Sequence, residues 1–126
     1  MKKPAANQSL ISRSMARPGH KPLDAAQLEA VARLFAVLSE GSRLRILQVL
    51  QSGASSVGEL VERSGLKQAN VSKQLGILLS AGIIDRRQDG NRAIFSIKLP
   101  MVFELCELAC RGVARQAAER AAALSR

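Results

Sequence analysis

The stretch Ser56–Leu79, SVGELVERSGLKQANVSKQLGILL, decides the expected fold because it predicts two short helices joined by a tight turn. Ser56 and Glu59 have the spacing of a capping box at the start of the first helix. Gly65 is positioned to end that helix, and the second helix begins after an N-cap at Lys67. The apolar residues of the second helix recur at i, i+4 and i+7, which predicts one buried side: Val71, Leu75 and Leu78.

The opposite side of the second helix is predicted to carry side chains that can bond base edges or phosphates. These residues are Lys67, Gln68, Ala69, Asn70, Ser72, Lys73 and Gln74. Asparagine and glutamine can form two hydrogen bonds to adenine, and Lys73 can reach guanine or a phosphate. An ordinary solvated helix in a helical hairpin would show the same pattern, so both interpretations stay open for this segment taken alone.

A basic β-hairpin is predicted directly after this helix. Two runs rich in β-branched residues, Ile83–Gln88 and Arg92–Ile97, flank an Asp-Gly turn that also contains Asn91. Arg86, Arg87 and Arg92 are predicted to cluster around the turn. A hairpin in this place is a wing, positioned to contact the neighbouring DNA backbone or the minor groove, where arginine is favoured. Charges that prevent edge-to-edge strand pairing would explain one or two arginines more easily than three.

These motifs together resemble the ArsR/SmtB winged helix-turn-helix repressors. The resemblance extends from about Leu23 to the C-terminus and rests on Ser42–Leu47 (SRLRIL), Val57–Leu60 (VGEL), Leu66–Leu75 (LKQANVSKQL) and Ala81–Ile84 (AGII). It implies a mainly α fold with a small β-hairpin: five helices plus a wing, dimerising through the first and last helices. It also implies a homodimer that holds a double-stranded DNA operator and releases it when an effector binds or a thiol is modified.

Composition agrees with a polyanionic partner. The 126 residues carry a formal net charge of +9, which predicts salt-sensitive affinity for nucleic acid. The only aromatic residues are three phenylalanines, whereas proteins that bind single strands stack bases on aromatic side chains. Duplex DNA is therefore favoured over RNA or single strands.

Other classes of protein are disfavoured by what the sequence lacks. The only histidine, His20, lies near the N-terminus, and the sequence has no Gly-rich phosphate loop, so we expect no enzyme. The sequence contains no apolar run of the roughly 18 residues that are needed to span a bilayer, and its first twenty residues lack the apolar core of a signal peptide. We expect no membrane partner and a cytoplasmic location.

The chain is predicted to consist of a tail and one domain. Residues 1–22 contain basic but no acidic residues and three of the four prolines, which predicts a basic, disordered N-terminal tail. Residues 23–126 are predicted to form the winged helix-turn-helix DNA-binding and dimerisation domain. Its first helix is expected to begin at Asp24, its second to turn Arg43 and Arg45 outward, and its last to run from about Pro100 to Leu124.

Cys106 and Cys110 lie at i and i+4 on the last helix, so they project from one face. They predict either a thiol sensor, which reacts with an oxidant or binds a soft thiophilic metal ion, or two small apolar residues that fill an interface. The family's usual metal sites are missing, since Val57–Leu60 contains no cysteine and the last helix no histidine. The effector therefore does not transfer with the resemblance.

The combined prediction is a homodimeric repressor of an inverted-repeat operator, released by an oxidant, a reactive sulfur species or a soft metal ion acting at Cys106 and Cys110. One alternative is a winged-helix module that binds another protein. A second is a repressor without thiol sensing.

Overall fold

The computed structural model describes residues 19–125, which form five helices and a three-stranded antiparallel sheet. In chain order the elements are α1 (Ala25–Leu38), α2 (Gly41–Gln51), β1 (Ser55–Ser56), α3 (Val57–Ser64), α4 (Gln68–Ser80), β2 (Ile84–Asp89), β3 (Arg92–Ile97) and α5 (Pro100–Leu124). The prediction of a mainly α fold with five helices and a hairpin is confirmed. The described residues divide into two units, with the boundary between Ala32 and Arg33.

The N-terminal unit contains the start of α1. Asp24 and Gln27 form the predicted reciprocal cap: Gln27 N–H donates to Asp24 Oδ1 at 2.8 Å, and Asp24 N–H donates to Gln27 Oε1 at 3.0 Å. Residues 20–24 form neither helix nor strand. The prediction of a disordered tail over residues 1–22 falls almost entirely outside the described residues and stays a prediction.

The second unit contains the hydrophobic core, to which the end of α1, the helices α2, α3 and α4, the sheet and the first turns of α5 contribute. Its most deeply buried large side chains are Ile46, Leu47, Leu60, Val71, Leu78, Ile83, Ile84 and Val102. Leu44 lies outside this core and is 45% exposed. The outward position predicted for Arg43 is wrong, because its side chain is part-buried and hydrogen-bonded to α1 and α4.

The turn between α3 and α4 has the local chemistry that the sequence predicts. Ser56 and Glu59 complete the capping box at the start of α3, and Gly65 ends that helix in the left-handed conformation, with φ 76° and ψ 8°. Glycine adopts this conformation without the steric cost of a Cβ. The chain then turns sharply enough for α4 to begin at Gln68.

The sheet has the strand order β1-β3-β2. Strands β2 and β3 form the predicted hairpin, whose closing pair is Asp89 and Arg92 around a loop of Gly90 and Asn91. Gly90 has a φ of 64°, as expected for the first central residue of a tight hairpin turn. The strand β1, which pairs with Ile94 and Phe95 of β3, was not predicted from the sequence.

The last helix, α5, begins at Pro100 as predicted and runs for 25 residues. In its first two turns the side chains of Val102 and Cys106 are buried, whereas every residue from Glu107 to Leu124 is exposed. No helix within residues 19–125 is both long enough and apolar enough to cross a membrane.

Candidate nucleic-acid interface

The N-cap of α4 and the exposed face of the helix together contain five of the seven residues predicted to contact DNA. Lys67, Gln68, Ala69, Ser72 and Lys73 are all exposed. The four helical members follow a spacing of i, i+1, i+4 and i+5, which places them on one side of an α-helix. Val71, Leu75 and Leu78 are buried on the other side. The helix therefore presents a polar and basic surface on an apolar base.

The start of α4 leaves its first N–H groups uncapped by a side chain. Lys67 is the N-cap residue, with φ −74° and ψ 152°, and its side chain forms no capping hydrogen bond. The lack of a Ser, Thr, Asp or Asn cap costs about 1 kcal/mol. An uncapped helix N-terminus beside a lysine is electrostatically suited to a phosphate.

The structure corrects the predicted position of Gln74. Its side chain is only 5% exposed, because residue 74 follows Val71 by three positions and so lies on the buried side of the helix. Asn70, one turn earlier, is half-buried. Gln74 is therefore not available to touch a base, and Asn70 is only partly available.

A line of hydrogen bonds satisfies these two amides. Arg43 Nε donates to Gln74 Oε1 at 2.9 Å, and Arg43 Nη1 donates to the carbonyl oxygen of Val37 at 2.8 Å. Gln74 Nε2 donates to Asn70 Oδ1 at 2.9 Å, and Asn70 Nδ2 donates to Ser42 Oγ at 3.2 Å. Leaving a buried polar atom of this kind unpaired costs about 1–3 kcal/mol. The network thus fastens α4 to α2 and to the last turn of α1.

Gly76 extends the exposed face of α4 by a further turn. A Cβ built at this position meets no atom within 4 Å, so packing does not require glycine here. The residue follows Ser72 by four positions and is itself exposed. A helix surface without a side chain permits another molecule's backbone to approach closely.

The hairpin separates the three arginines that were predicted to cluster around the turn. Arg87 pairs with Ile94, two residues before the Asp89–Arg92 closing pair, so Arg87 and Arg92 lie on one face of the sheet. Arg86 pairs with Phe95 and projects from the opposite face. The wing therefore offers two arginines on one side and one on the other.

Arg92 on this face lies close enough to Glu59, in the first turn of α3, for their charges to interact. The pKa of Glu59 is lowered mainly by its hydrogen bonds to Ser56, and the nearby positive charge of Arg92 lowers it further. Asp85 and Asp89 share this face by register. The positive charge of the wing is therefore partly offset by carboxylates.

The two cysteines line an apolar groove away from α4. The groove has a volume of about 620 Å³ and lies between α2, α5 and the end of α1. Cys106 is 8% exposed, whereas Cys110 is exposed. Burial raises the pKa of the Cys106 thiol, and the neighbouring Cys110 contributes to the rise. The thiolate needed for reaction or metal binding therefore forms less readily at Cys106.

The described residues contain no group of three or more His, Cys, Asp and Glu side chains that could hold a metal ion. The two cysteines by themselves offer two sulfur ligands from one helix. Tetrahedral soft-metal sites require four ligands. A complete site of that kind would have to draw ligands from outside residues 19–125 of one chain.

Comparison with known proteins identifies the scaffold. Residues 38–87 match the model of a helix-turn-helix domain. The chain is 42% identical over 94 residues to the uncharacterized HTH-type transcriptional regulator Rv0081 of Mycobacterium tuberculosis, a match that covers 74% of this chain and 82% of the relative. The crystal structure of M. tuberculosis Rv0081 superposes with a TM-score of 0.66 at 37% identity, covering 78% of this chain and 99% of the other.

Two further solved structures share the fold. One is the homodimeric winged helix-turn-helix DNA-binding domain of Mb0332 from Mycobacterium bovis, described as a possible ArsR-family transcriptional regulator; its TM-score is 0.67 at 31% identity, over 82% of this chain and 95% of that one. The other is the antimony-specific transcriptional repressor AntR, with a TM-score of 0.72 at 29% identity, over 80% of this chain and 92% of that one. The chain thus belongs to the ArsR/SmtB family of winged helix-turn-helix transcriptional regulators, which are DNA-binding proteins and not enzymes.

Proposed function

We propose that this regulator is a homodimeric repressor that binds an inverted-repeat operator in duplex DNA. The observation that carries the proposal is the two-sided character of α4, whose apolar side is buried in the core while its polar and basic side is exposed. A helix of this kind fits the major groove of B-DNA. By the general half-site rule, the two copies of α4 would lie about 34 Å apart.

The exposed residues have distinct roles in this proposal. Gln68 contacts base edges, Ser72 and Lys73 contact bases or phosphates, and Lys67 binds a phosphate at the start of the helix. Ala69 is small enough to let the helix sit deep in the groove or to contact a thymine methyl group. Arg87 and Arg92, with Asn91 at the tip and Arg86 on the other face, contact the flanking backbone.

Dimerisation through α5 is supported by its exposed apolar side chains. Leu108 is 63% exposed and Val113 is 65% exposed, and on α1 Phe35 is 52% exposed. Exposed apolar groups grouped on two helices are typical of a surface that another molecule covers. The related Mb0332 domain is described as homodimeric, which supports the same assembly for this chain.

A thiol-reactive signal acting in the groove of Cys106 and Cys110 is the release mechanism that we propose. Cys110 is the accessible thiol and Cys106 lies behind it in the same groove. An oxidant or a reactive sulfur species would reach Cys110 first. A soft metal ion would use both thiolates together with ligands from the second protomer.

The burial of Cys106 favours a second candidate, a repressor without thiol sensing. A free cysteine with 8% exposure behaves as a small apolar side chain. In both candidates the site of action is chromosomal DNA, so we propose a cytoplasmic location.

Fluorescence anisotropy tests the proposal. The full chain is titrated onto the intergenic duplex upstream of its own gene and onto a scrambled duplex, first reduced and then after treatment with diamide or with Cd²⁺. If treatment abolishes selective binding by the wild type but not by a Cys110→Ser variant, the result supports the thiol-switched repressor. Selective binding that treatment leaves unchanged supports the second candidate, and the absence of selectivity would favour a module that binds another protein.

A further inference from the structure

We infer that Arg43 and Gln74 are positioning residues that fix the orientation of the Asn70 amide and thereby set the base preference of α4 at the position that Asn70 faces. Neither residue needs to touch DNA in this arrangement. The inference rests on the proposed function, since it requires α4 to lie in the major groove. Its basis is the polarity of the hydrogen bonds around Gln74.

Arg43 is held in place from two sides. Its backbone N–H donates to Glu40 Oε1 at 3.0 Å at the start of α2. Its guanidinium donates through Nη1 to the carbonyl oxygen of Val37 at 2.8 Å, close to the end of α1. A second guanidinium donor, Nε, lies 2.9 Å from Gln74 Oε1. The guanidinium is therefore a fixed donor within the contact between α1, α2 and α4.

The guanidinium determines which way each amide points. A side-chain amide can be rotated by half a turn, which exchanges its oxygen and its NH₂ group, but an arginine can only donate. Gln74 must therefore turn its oxygen to Arg43 and its NH₂ group to Asn70. Asn70 must in turn present its oxygen to Gln74, at 2.9 Å, and its NH₂ group to Ser42 Oγ, at 3.2 Å.

Asn70 retains hydrogen-bonding capacity beyond this line. An amide oxygen has two lone pairs and an NH₂ group has two hydrogens, and the network uses one of each. Asn70 is half-buried, whereas Gln74 is 5% exposed. A base edge can therefore meet the free lone pair and the free hydrogen of Asn70, while Gln74 stays out of reach of DNA.

The orientation of the Asn70 amide determines which base edge in the DNA it can bind. Adenine offers an acceptor at N7 and a donor at N6 in the major groove, and other bases offer different orders of donor and acceptor. The two orientations of an amide present donor and acceptor in opposite order. The buried Arg43–Gln74 pair thus selects which order α4 offers at this position.

A Gln74→Glu substitution reverses the polarity with little change in shape. The carboxylate still accepts from Arg43, but it cannot donate to Asn70. Asn70 is then expected to turn its NH₂ group to the carboxylate and its oxygen to Ser42, whose hydroxyl can donate. Gln116→Glu makes the same chemical change on the exposed part of α5 and reports the effect of one added negative charge.

The test is selection of binding sites from a randomised duplex library by the full-length wild type, Gln74→Glu and Gln116→Glu. We expect Gln74→Glu to change the ratio of preferred to disfavoured base at one position of each half-site by about tenfold, with the other positions and the salt dependence unchanged. Gln116→Glu should keep the preferences of the wild type. A merely structural role for Gln74 would weaken binding to every sequence alike and leave the preferences unaltered.

A second variant and a spectrum guard against misfolding. Ser42→Ala removes the far end of the network without touching the buried Gln74, and it should relax the preference at the same position. In ¹⁵N spectra recorded without DNA, the Asn70 NH₂ resonances of the Ser42→Ala and Gln74→Glu variants should be shifted from those of the wild type. Identical base preferences in all variants, or unmoved Asn70 resonances, would overturn the inference while the repressor stands. A wild type that selects no sequence would overturn the proposed function itself.

Discussion

Ser56 and Glu59 bond each other reciprocally at the start of α3: Glu59 N–H donates to Ser56 Oγ at 3.2 Å, and Ser56 N–H donates to Glu59 Oε1 at 2.8 Å. The carboxylate is the better acceptor when it is ionised, so the hydrogen bond that it accepts from the Ser56 N–H is the main reason that the pKa of Glu59 lies below its ordinary value of 4.5. The positive charges of Arg92 and Arg63 act in the same direction. The cap that begins the helix-turn-helix is therefore sensitive to acid.

This relationship predicts how stability depends on pH. The folded chain binds fewer protons at Glu59 than the unfolded chain does, so the contribution of Glu59 is fully present above pH 4.5 and is lost as the pH falls through the lowered value. Glu59→Gln keeps the geometry of a capping box without the charge. Urea unfolding should find the wild type more stable than this variant at neutral pH, with the difference vanishing in acid. A difference that persists in acid would contradict the assignment.

The sequence predicted the local chemistry of this region better than its tertiary contacts. The capping box, the glycine that ends α3 and the apolar side of α4 follow from spacing alone. Gln74 was placed on the wrong side because a polar residue between Val71 and Leu75 suggests exposure. A buried glutamine needs a hydrogen-bond partner, and the partner of Gln74 is Arg43, which lies 31 residues away in the sequence. Local spacing therefore could not predict the pair. The two-residue strand β1 is likewise too short to produce a sequence pattern.

Gly76→Ala is expected to stabilise the fold and weaken DNA binding together. An added Cβ meets no atom within 4 Å, so the variant should gain about 0.5–1 kcal/mol of unfolding free energy from the higher helix propensity of alanine. If DNA approaches the backbone of α4 closely, affinity for every sequence should fall. Thermal unfolding and anisotropy titrations measure the two effects.

Gly58→Ala on α3 is the matched control for this change. A Cβ there meets only Ser56 Oγ, at 3.9 Å, which is ordinary contact. Its effect on DNA affinity should be smaller than that of Gly76→Ala. Equal affinities of the Gly76→Ala variant and the wild type would mean that the exposed glycine does not face DNA.

Arg92→Ala is expected to weaken binding to all duplexes and to reduce the slope of log affinity against log salt by about 1. Gln68→Ala should instead relax sequence preference at a cost of about 1–3 kcal/mol and leave the slope unchanged. Arg120→Ala, near the end of α5, controls for the loss of one positive charge. Titrations at several salt concentrations distinguish the wing from the helix, and equal slopes for Arg92→Ala and Arg120→Ala would argue against contact by the wing.

The cysteines are expected to react at different rates. Cys110 is exposed, whereas burial raises the pKa of Cys106, and the thiolate is the reactive form. Timed iodoacetamide labelling followed by mass spectrometry should modify Cys110 first in the folded protein. In urea the two rates should become similar. Faster labelling of Cys106 than of Cys110 in the folded protein would contradict the burial of the Cys106 thiol.

Val113→Glu is expected to shift the protein from dimer towards monomer. Val113 is 65% exposed and lines the groove beside the cysteines, so in the proposed dimer a carboxylate at this position would lose its hydration against the second protomer. Ala118→Glu adds the same residue about 140° around the exposed helix and should leave the association nearly unchanged. Sedimentation equilibrium measures the association of both variants. The operator affinity should fall with the loss of the dimer, because a monomer presents one copy of α4 and loses the contribution of the second half-site. Dimers of equal strength in both variants would place the interface on another face of α5.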